Sequence, residues 1–129
     1  MADPANRRVL VVDDASLVRR YYRDALEKAG FQVEEALNGL EALEKLHAAP
    51  VDLLIVDVNM PQMDGLTFLR VLRRQAPPVA TLPALVISTE AGPQDREAAR
   101  AAGGNFYLVK PVSQETLVDY AALLCGVAP

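Results

Sequence analysis

Five short apolar runs, each followed by turn residues and an amphipathic stretch, set the tightest limit on what this chain can fold into. The runs are "RRVLVV" (7–12), "FQVEEA" (31–36), "VDLLIV" (51–56), "PALVIS" (83–88) and "NFYLV" (105–109). Most are near-continuous in Val, Ile and Leu, the pattern of strands buried on both faces. The second is more polar and is expected at a sheet edge.

Helical spacing fills the intervals. Val18, Tyr21, Tyr22, Ala25, Leu26 and Ala29 recur with a helical period, and Gly30 stops that helix. Asn38 and Glu41 form a capping-box pattern before Leu40, Leu43 and Leu46. Asp64 is expected to cap a third helix with Leu66, Leu69 and Leu72 inward. Pro93 suits the first position of a fourth helix, "PQDREAARAA", which is short of large apolar residues and so should pack weakly. Ser113 is expected to cap a fifth, with Leu117, Tyr120, Ala121 and Leu124 at core spacing. The longest stretch without periodicity is a loop over 75–83. Strict β/α alternation predicts an α/β domain, a parallel sheet with helices on both faces.

Length and composition agree. At 129 residues, 51% of them apolar, the chain is expected to form one globular domain over 1–129, with no output domain following. No apolar run approaches the roughly 18 residues of a membrane span, and the N-terminus lacks the apolar stretch of a secretion signal. One cysteine precludes an internal disulfide framework and suits a reducing cytoplasm. One histidine and one cysteine are too few for a zinc site. A net charge of −4 argues against nonspecific nucleic-acid binding.

In open parallel sheets, sites form beyond the carboxyl ends of the strands. The first run ends in Asp13 and Asp14, the third in Asp57, the fourth in Ser88 and Thr89, and the fifth in Lys110 before Pro111. Three carboxylates on one rim repel unless a cation joins them. A hard divalent ion, Mg²⁺ in particular, takes such oxygen ligands and keeps waters for a phosphate; Ca²⁺ lacks its EF-hand loop here. Asp57 would then remain an ionised nucleophile able to form an aspartyl phosphate, with Lys110 balancing phosphoryl charge and Ser88 donating a hydrogen bond. Taken singly, each residue has a plainer reading. Asp13 and Asp14 read equally as a helix cap with a solvated neighbour, Asp57 as a strand terminator, Lys110 as a surface lysine, and Tyr107 as a half-buried core residue. Their joint placement at four strand ends favours the site.

The stretches "VLVVDDASLVRR", "LLIVDVNMPQMDG", "ALVISTEA" and "FYLVKPV", in this order, resemble the receiver domains of two-component response regulators over nearly the whole chain. They are most similar to the single-domain, CheY-like chemotaxis type. That resemblance implies a doubly wound (βα)5 flavodoxin-like fold with strand order 2-1-3-4-5. It implies that Asp57 is the phosphoacceptor, that Asp13 and Asp14 are the acidic pair, and that the Asn59 backbone carbonyl completes the Mg²⁺ shell. It makes Ser88 the switch hydroxyl, Lys110 the phosphate-pairing lysine, and Tyr107 the aromatic that swings inward on phosphorylation. Pro111 follows a bond that is cis in many relatives. Asn59 and Glu90 occupy the positions that tune hydrolysis of the acyl phosphate. The implied partner is a histidine kinase or histidine phosphotransfer protein, docking near Ala15, Leu17 and Val18. The implied role is a cytoplasmic switch, not an enzyme beyond its own phosphoryl transfer and hydrolysis.

The sequence departs from that family at two places. Thr89 stands where a small residue is usual, so access to Asp57 is expected to be narrower. The fourth and fifth helices carry no lysine, unlike the regulator that binds the flagellar switch. Val118, Ala122, Leu123 and Cys125 lie off the core stripe of the fifth helix, a candidate surface for a partner or a phosphorylation-dependent dimer. Two further readings of the same family are a phosphate sink and a phosphorylation-independent scaffold. An aspartyl-nucleophile phosphatase would need a second Asp where Asn59 stands. A nucleotide-binding module would need glycines where "VVDDAS" has none.

Overall fold

The computed structural model describes residues 3–127; Met1, Ala2, Ala128 and Pro129, the ends of the expected 1–129 domain, lie outside the described residues. Strands and helices alternate as β1 (Arg8–Val12), α1 (Ser16–Lys28), β2 (Gln32–Ala36), α2 (Gly39–Ala48), β3 (Leu53–Asp57), α3 (Gly65–Leu72), β4 (Ala84–Ser88), α4 (Pro93–Ala102), β5 (Phe106–Val109) and α5 (Gln114–Cys125). Two 3-10 turns, Pro4–Asn6 and Val79–Thr81, are added to that series. The five strands form one parallel sheet in the order β2-β1-β3-β4-β5.

Alternation of side chains along each strand divides the core into two layers. Val9, Val11, Leu53, Ile55, Leu85 and Ile87 face α1 and α5. Leu10, Val12, Leu54, Val56, Ala84 and Val86 face α2, α3 and α4. β3 and β4 are buried along their whole length, which is why they read as unbroken apolar runs. β2 is an edge, as its polarity foretold. β5 is the other edge, and its apolar run is only partly covered, with Phe106 42% exposed.

The caps follow from residue chemistry. Asn38 Oδ1 accepts from the Glu41 N–H at 2.9 Å, while the Glu41 carboxylate reaches the Leu37 N–H at 3.1 Å instead of that of Asn38. Asp64 accepts from the Thr67 N–H at 2.8 Å, and Ser113 from that of Thr116 at 3.1 Å. Pro93 occupies the first turn of α4, whose buried residues are Ala99 and Ala102 alone. The carbonyls of the 75–83 loop are held by Arg73, which donates to Ala80 O at 3.0 Å and Leu82 O at 2.6 Å. Its guanidinium also donates to Gly103 O at 2.6 Å, tying the end of α4 to α3.

Several helical positions differ from the periodic reading. Leu40 is half exposed, because Ala42 and Leu46 supply the inward face of α2. Phe68, unassigned by the leucine pattern, is fully buried and larger than any leucine on α3. Ala122 and Cys125 belong to the core, since α5 is flanked by both the sheet and α1 and buries a broader arc than one stripe. Leu123 remains outside, so the expected apolar surplus on α5 is mainly this one side chain.

Edge strand β2 is anchored by charge. Glu35 accepts from Arg19 Nε at 2.9 Å and from Arg23 Nη1 at 2.6 Å, joining β2 to α1. Burial pushes the Glu35 carboxyl up, but the Arg23 and Arg19 hydrogen bonds outweigh it and hold it below its usual 4.5. A depressed carboxyl contributes stability above its unfolded value and loses it as pH falls through the folded one. Glu35→Gln is therefore expected to cost about 1 kcal/mol at pH 7, a small value because the pair is partly solvated. The difference should shrink as pH falls from 4.5 through the depressed folded value, as denaturation curves run across that range would read.

Candidate functional site

The carboxyl ends of β1, β3, β4 and β5 bring the predicted residues together. Asp57 ends β3 and is only 7% exposed; Asp13, just past β1, is 1% exposed, and Asp14 beside it is open to solvent. Carboxylate oxygens of Asp13, Asp14 and Asp57 lie within 4.8 Å of one another. Lys110 Nζ donates to Asp57 Oδ1 at 3.2 Å and to Asp13 Oδ2 at 3.4 Å. Asp13 Oδ1 accepts from the Ala15 N–H at 2.9 Å, while Ala15, the N-cap of α1, makes no side-chain cap. The acidic pair is thus not the helix cap that its plainer reading suggested.

One ammonium cannot neutralise three carboxylates. Burial first, and Asp13 next, push the Asp57 carboxyl above its usual range, with Lys110 opposing and Asp14 adding to the rise. Burial would lower the Lys110 ammonium, but Asp13 and then Asp57 outweigh it and hold it above its usual value. The residual negative charge and the oxygen-only donor set fit a hard divalent cation.

Ser88 is fully buried at the end of β4, and its Oγ accepts from the Glu90 N–H at 3.1 Å. Its carbonyl accepts from the Lys110 N–H at 2.8 Å, so the hydroxyl and the ammonium share one backbone frame. Tyr107 is half-buried on β5; its hydroxyl donates to Glu90 O at 2.7 Å, and the Arg96 guanidinium lies 5.1 Å from its ring centre. The bond between Lys110 and Pro111 is cis. Asn59 is exposed on the β3–α3 loop, and Thr89 and Glu90 are exposed on the β4–α4 loop. Thr89 and Lys110 both line a groove of about 620 Å³ against α1.

Two residues gain importance only in three dimensions. Gly65 opens α3 directly against the end of β3, where an added Cβ would stand 2.2 Å from the Asp57 carbonyl oxygen. Asp64 was legible as a helix cap, but nothing in the sequence marked Gly65 as a close approach. Tyr22 carried a core periodicity, yet it also lines the groove beside Lys110.

The rim thus gathers a buried carboxylate, two more carboxylates, a lysine and a serine at the carboxyl ends of four strands. The family described as the response regulator receiver domain matches residues 9–122. The chain is 38% identical over 121 residues to the Helicobacter pylori chemotaxis protein CheY1, covering 92% of this chain and 97% of that protein. It is 39% identical over 103 residues to a gliding motility regulatory protein of Myxococcus xanthus, covering 80% of this chain and 13% of that protein. The solved structure of the chemotaxis response regulator CheY4 of Vibrio cholerae matches with a TM-score of 0.85 at 37% identity, over 92% of this chain and 98% of that one. A putative response regulator from Chloroflexus aurantiacus matches with a TM-score of 0.88 at 32% identity, over 93% and 98%. Fold, rim and relatives converge: the chain belongs to the response regulator receiver domain family, among its CheY-like members.

Proposed function

We propose that this receiver is a phosphorylation-driven switch in chemotaxis-type two-component signalling, with Asp57 as the phosphoacceptor. The observation that carries the reading is the buried Asp57 carboxylate, 3.2 Å from Lys110 Nζ and clustered with Asp13 and Asp14. Asp13, Asp14 and Asp57 would hold Mg²⁺, with the Asn59 carbonyl as a further ligand. The bound ion supplies positive charge that shields the carboxylates from an incoming phosphate. Asp57 attacks the phosphorus of a phosphohistidine on a kinase or phosphotransfer protein; the O–P bond forms as the N–P bond breaks. Lys110 pairs with a phosphoryl oxygen, and the Ser88 hydroxyl turns from the Glu90 N–H to another. Tyr107 gives up its hold on Glu90 as that loop moves. The surface of α4, β5 and α5 then presents a different face to its target. Chemotaxis-type use is supported by the relatives named as chemotaxis proteins.

The test is mass spectrometry after incubation with Mg²⁺ and acetyl phosphate, then with a phosphohistidine protein. One labile phosphoryl group on the wild type and none on Asp57→Asn is the expected result. No label from either donor would overturn the reading in favour of a phosphorylation-independent scaffold. Thr89→Ala, which widens the groove beside Lys110, is expected to speed loading from acetyl phosphate several-fold; an unchanged rate would show that Thr89 is no gate.

A further inference from the structure

The groove beside Lys110 has one polar group that nothing described so far uses. Tyr22 is packed into the α1/α5 layer and is only 4% exposed. Among the described residues, the Tyr21 hydroxyl donates to Val112 O and that of Tyr107 to Glu90 O, while the Tyr22 hydroxyl has no protein partner. No buried side-chain oxygen in the described residues lacks a partner, so the Tyr22 hydroxyl keeps some contact with solvent. Tyr22 lines the groove, whose other walls include Val18, Thr89, Lys110, Pro111 and Val112. Burial, then the carboxylates of Asp13 and Asp57, push the phenol well above its usual range, so it stays a neutral hydroxyl.

We propose that Tyr22 is a specificity-determining residue for the phosphoryl donor, its hydroxyl holding the imidazole ring of the leaving group within the groove. This rests on the proposed phosphorylation of Asp57. A flat ring fits between apolar walls, and the groove is continuous with the site through Lys110. Hydrogen bonding selects the ring. A phosphorylated imidazole protonated on its far nitrogen carries a net single negative charge, and its ring presents an N–H donor on the side away from phosphorus. Its N–H donates to the Tyr22 oxygen. An Asp57 oxygen forms the new O–P bond, the N–P bond breaks, and its electron pair stays on the ring, which departs as neutral imidazole. An acyl phosphate instead offers no N–H to the Tyr22 oxygen, so its loading does not draw on the hydroxyl.

The experiment compares Mg²⁺-dependent loading of wild type and Tyr22→Phe by phosphoimidazole and by acetyl phosphate, each as a second-order rate constant. Phenylalanine keeps the ring in the core and removes the hydroxyl alone, and matched thermal melts check the fold. The expected result is a roughly tenfold loss with phosphoimidazole and less than a twofold change with acetyl phosphate. Equal losses with both donors would mean a packing effect, and no loss with either would mean the hydroxyl is idle; each overturns the assignment of Tyr22. Wild type refusing both donors would instead overturn the reading of Asp57, and this inference with it.

Discussion

Gly65→Ala is expected to lower stability by about 3 kcal/mol or more and to reduce phosphoryl loading of Asp57 at least tenfold. The new methyl would lie 2.2 Å from the Asp57 carbonyl oxygen and 3.0 Å from both the Asp57 carbonyl carbon and Val58 Cα. All three are backbone atoms, so no side chain can rotate aside. The Gly65 N–H already donates to Val58 O at 2.9 Å, which pins the start of α3 against the end of β3. Relief must come from displacing α3 or the strand end that aims Asp57. Urea unfolding reads the first effect and loading rates the second. A stable variant with normal loading would mean that α3 shifts at no cost to the site.

The second large effect has the opposite sign. Asp57→Asn is expected to stabilise the metal-free protein at pH 7 by about 1 kcal/mol and to abolish most of its stabilisation by Mg²⁺. Folding raises the Asp57 carboxyl, chiefly by burial and by Asp13. A raised carboxyl binds its proton more tightly when folded, so stability declines as pH rises from its ordinary 3.8 through the folded value. Above that window the ionised group carries its full penalty, which an amide avoids; below it the two proteins should converge. Lys110 keeps a partner in the variant, since Asp13 Oδ2 lies 3.4 Å from Nζ. Millimolar Mg²⁺ should reverse the order if, as proposed, the folded carboxylate cluster holds the cation and the unfolded chain does not. Melting temperatures with and without Mg²⁺ check both halves. A variant less stable than wild type without metal would show that the Lys110 pairing outweighs burial.

Sequence alone determined the elements of this protein and the residues at its rim. Strands buried on both faces must be apolar throughout, so β1, β3 and β4 announced themselves as runs of Val, Ile and Leu. Polar residues that end such runs in a parallel sheet have one place to go, which made Asp13, Asp57, Ser88 and Lys110 legible before any coordinate. Asn38, Asp64 and Ser113 were readable as caps because their short side chains reach only local N–H groups.

Only the tertiary structure decided what depends on distance between segments far apart in sequence. Whether Ala122 and Cys125 face solvent depends on how closely α1 and the sheet approach α5, and periodicity within one helix carries no record of its neighbours. Arg73 reads as one of several arginines, yet it holds Ala80, Leu82 and Gly103 carbonyls from two other segments. Gly65 matters because two backbones touch, and Tyr22 because it belongs both to the core and to a groove that the segment after β5 completes. Local patterns encode which face a residue takes. Close approach is set by the packing of all the faces at once, and that sum is written nowhere in the chain until it folds.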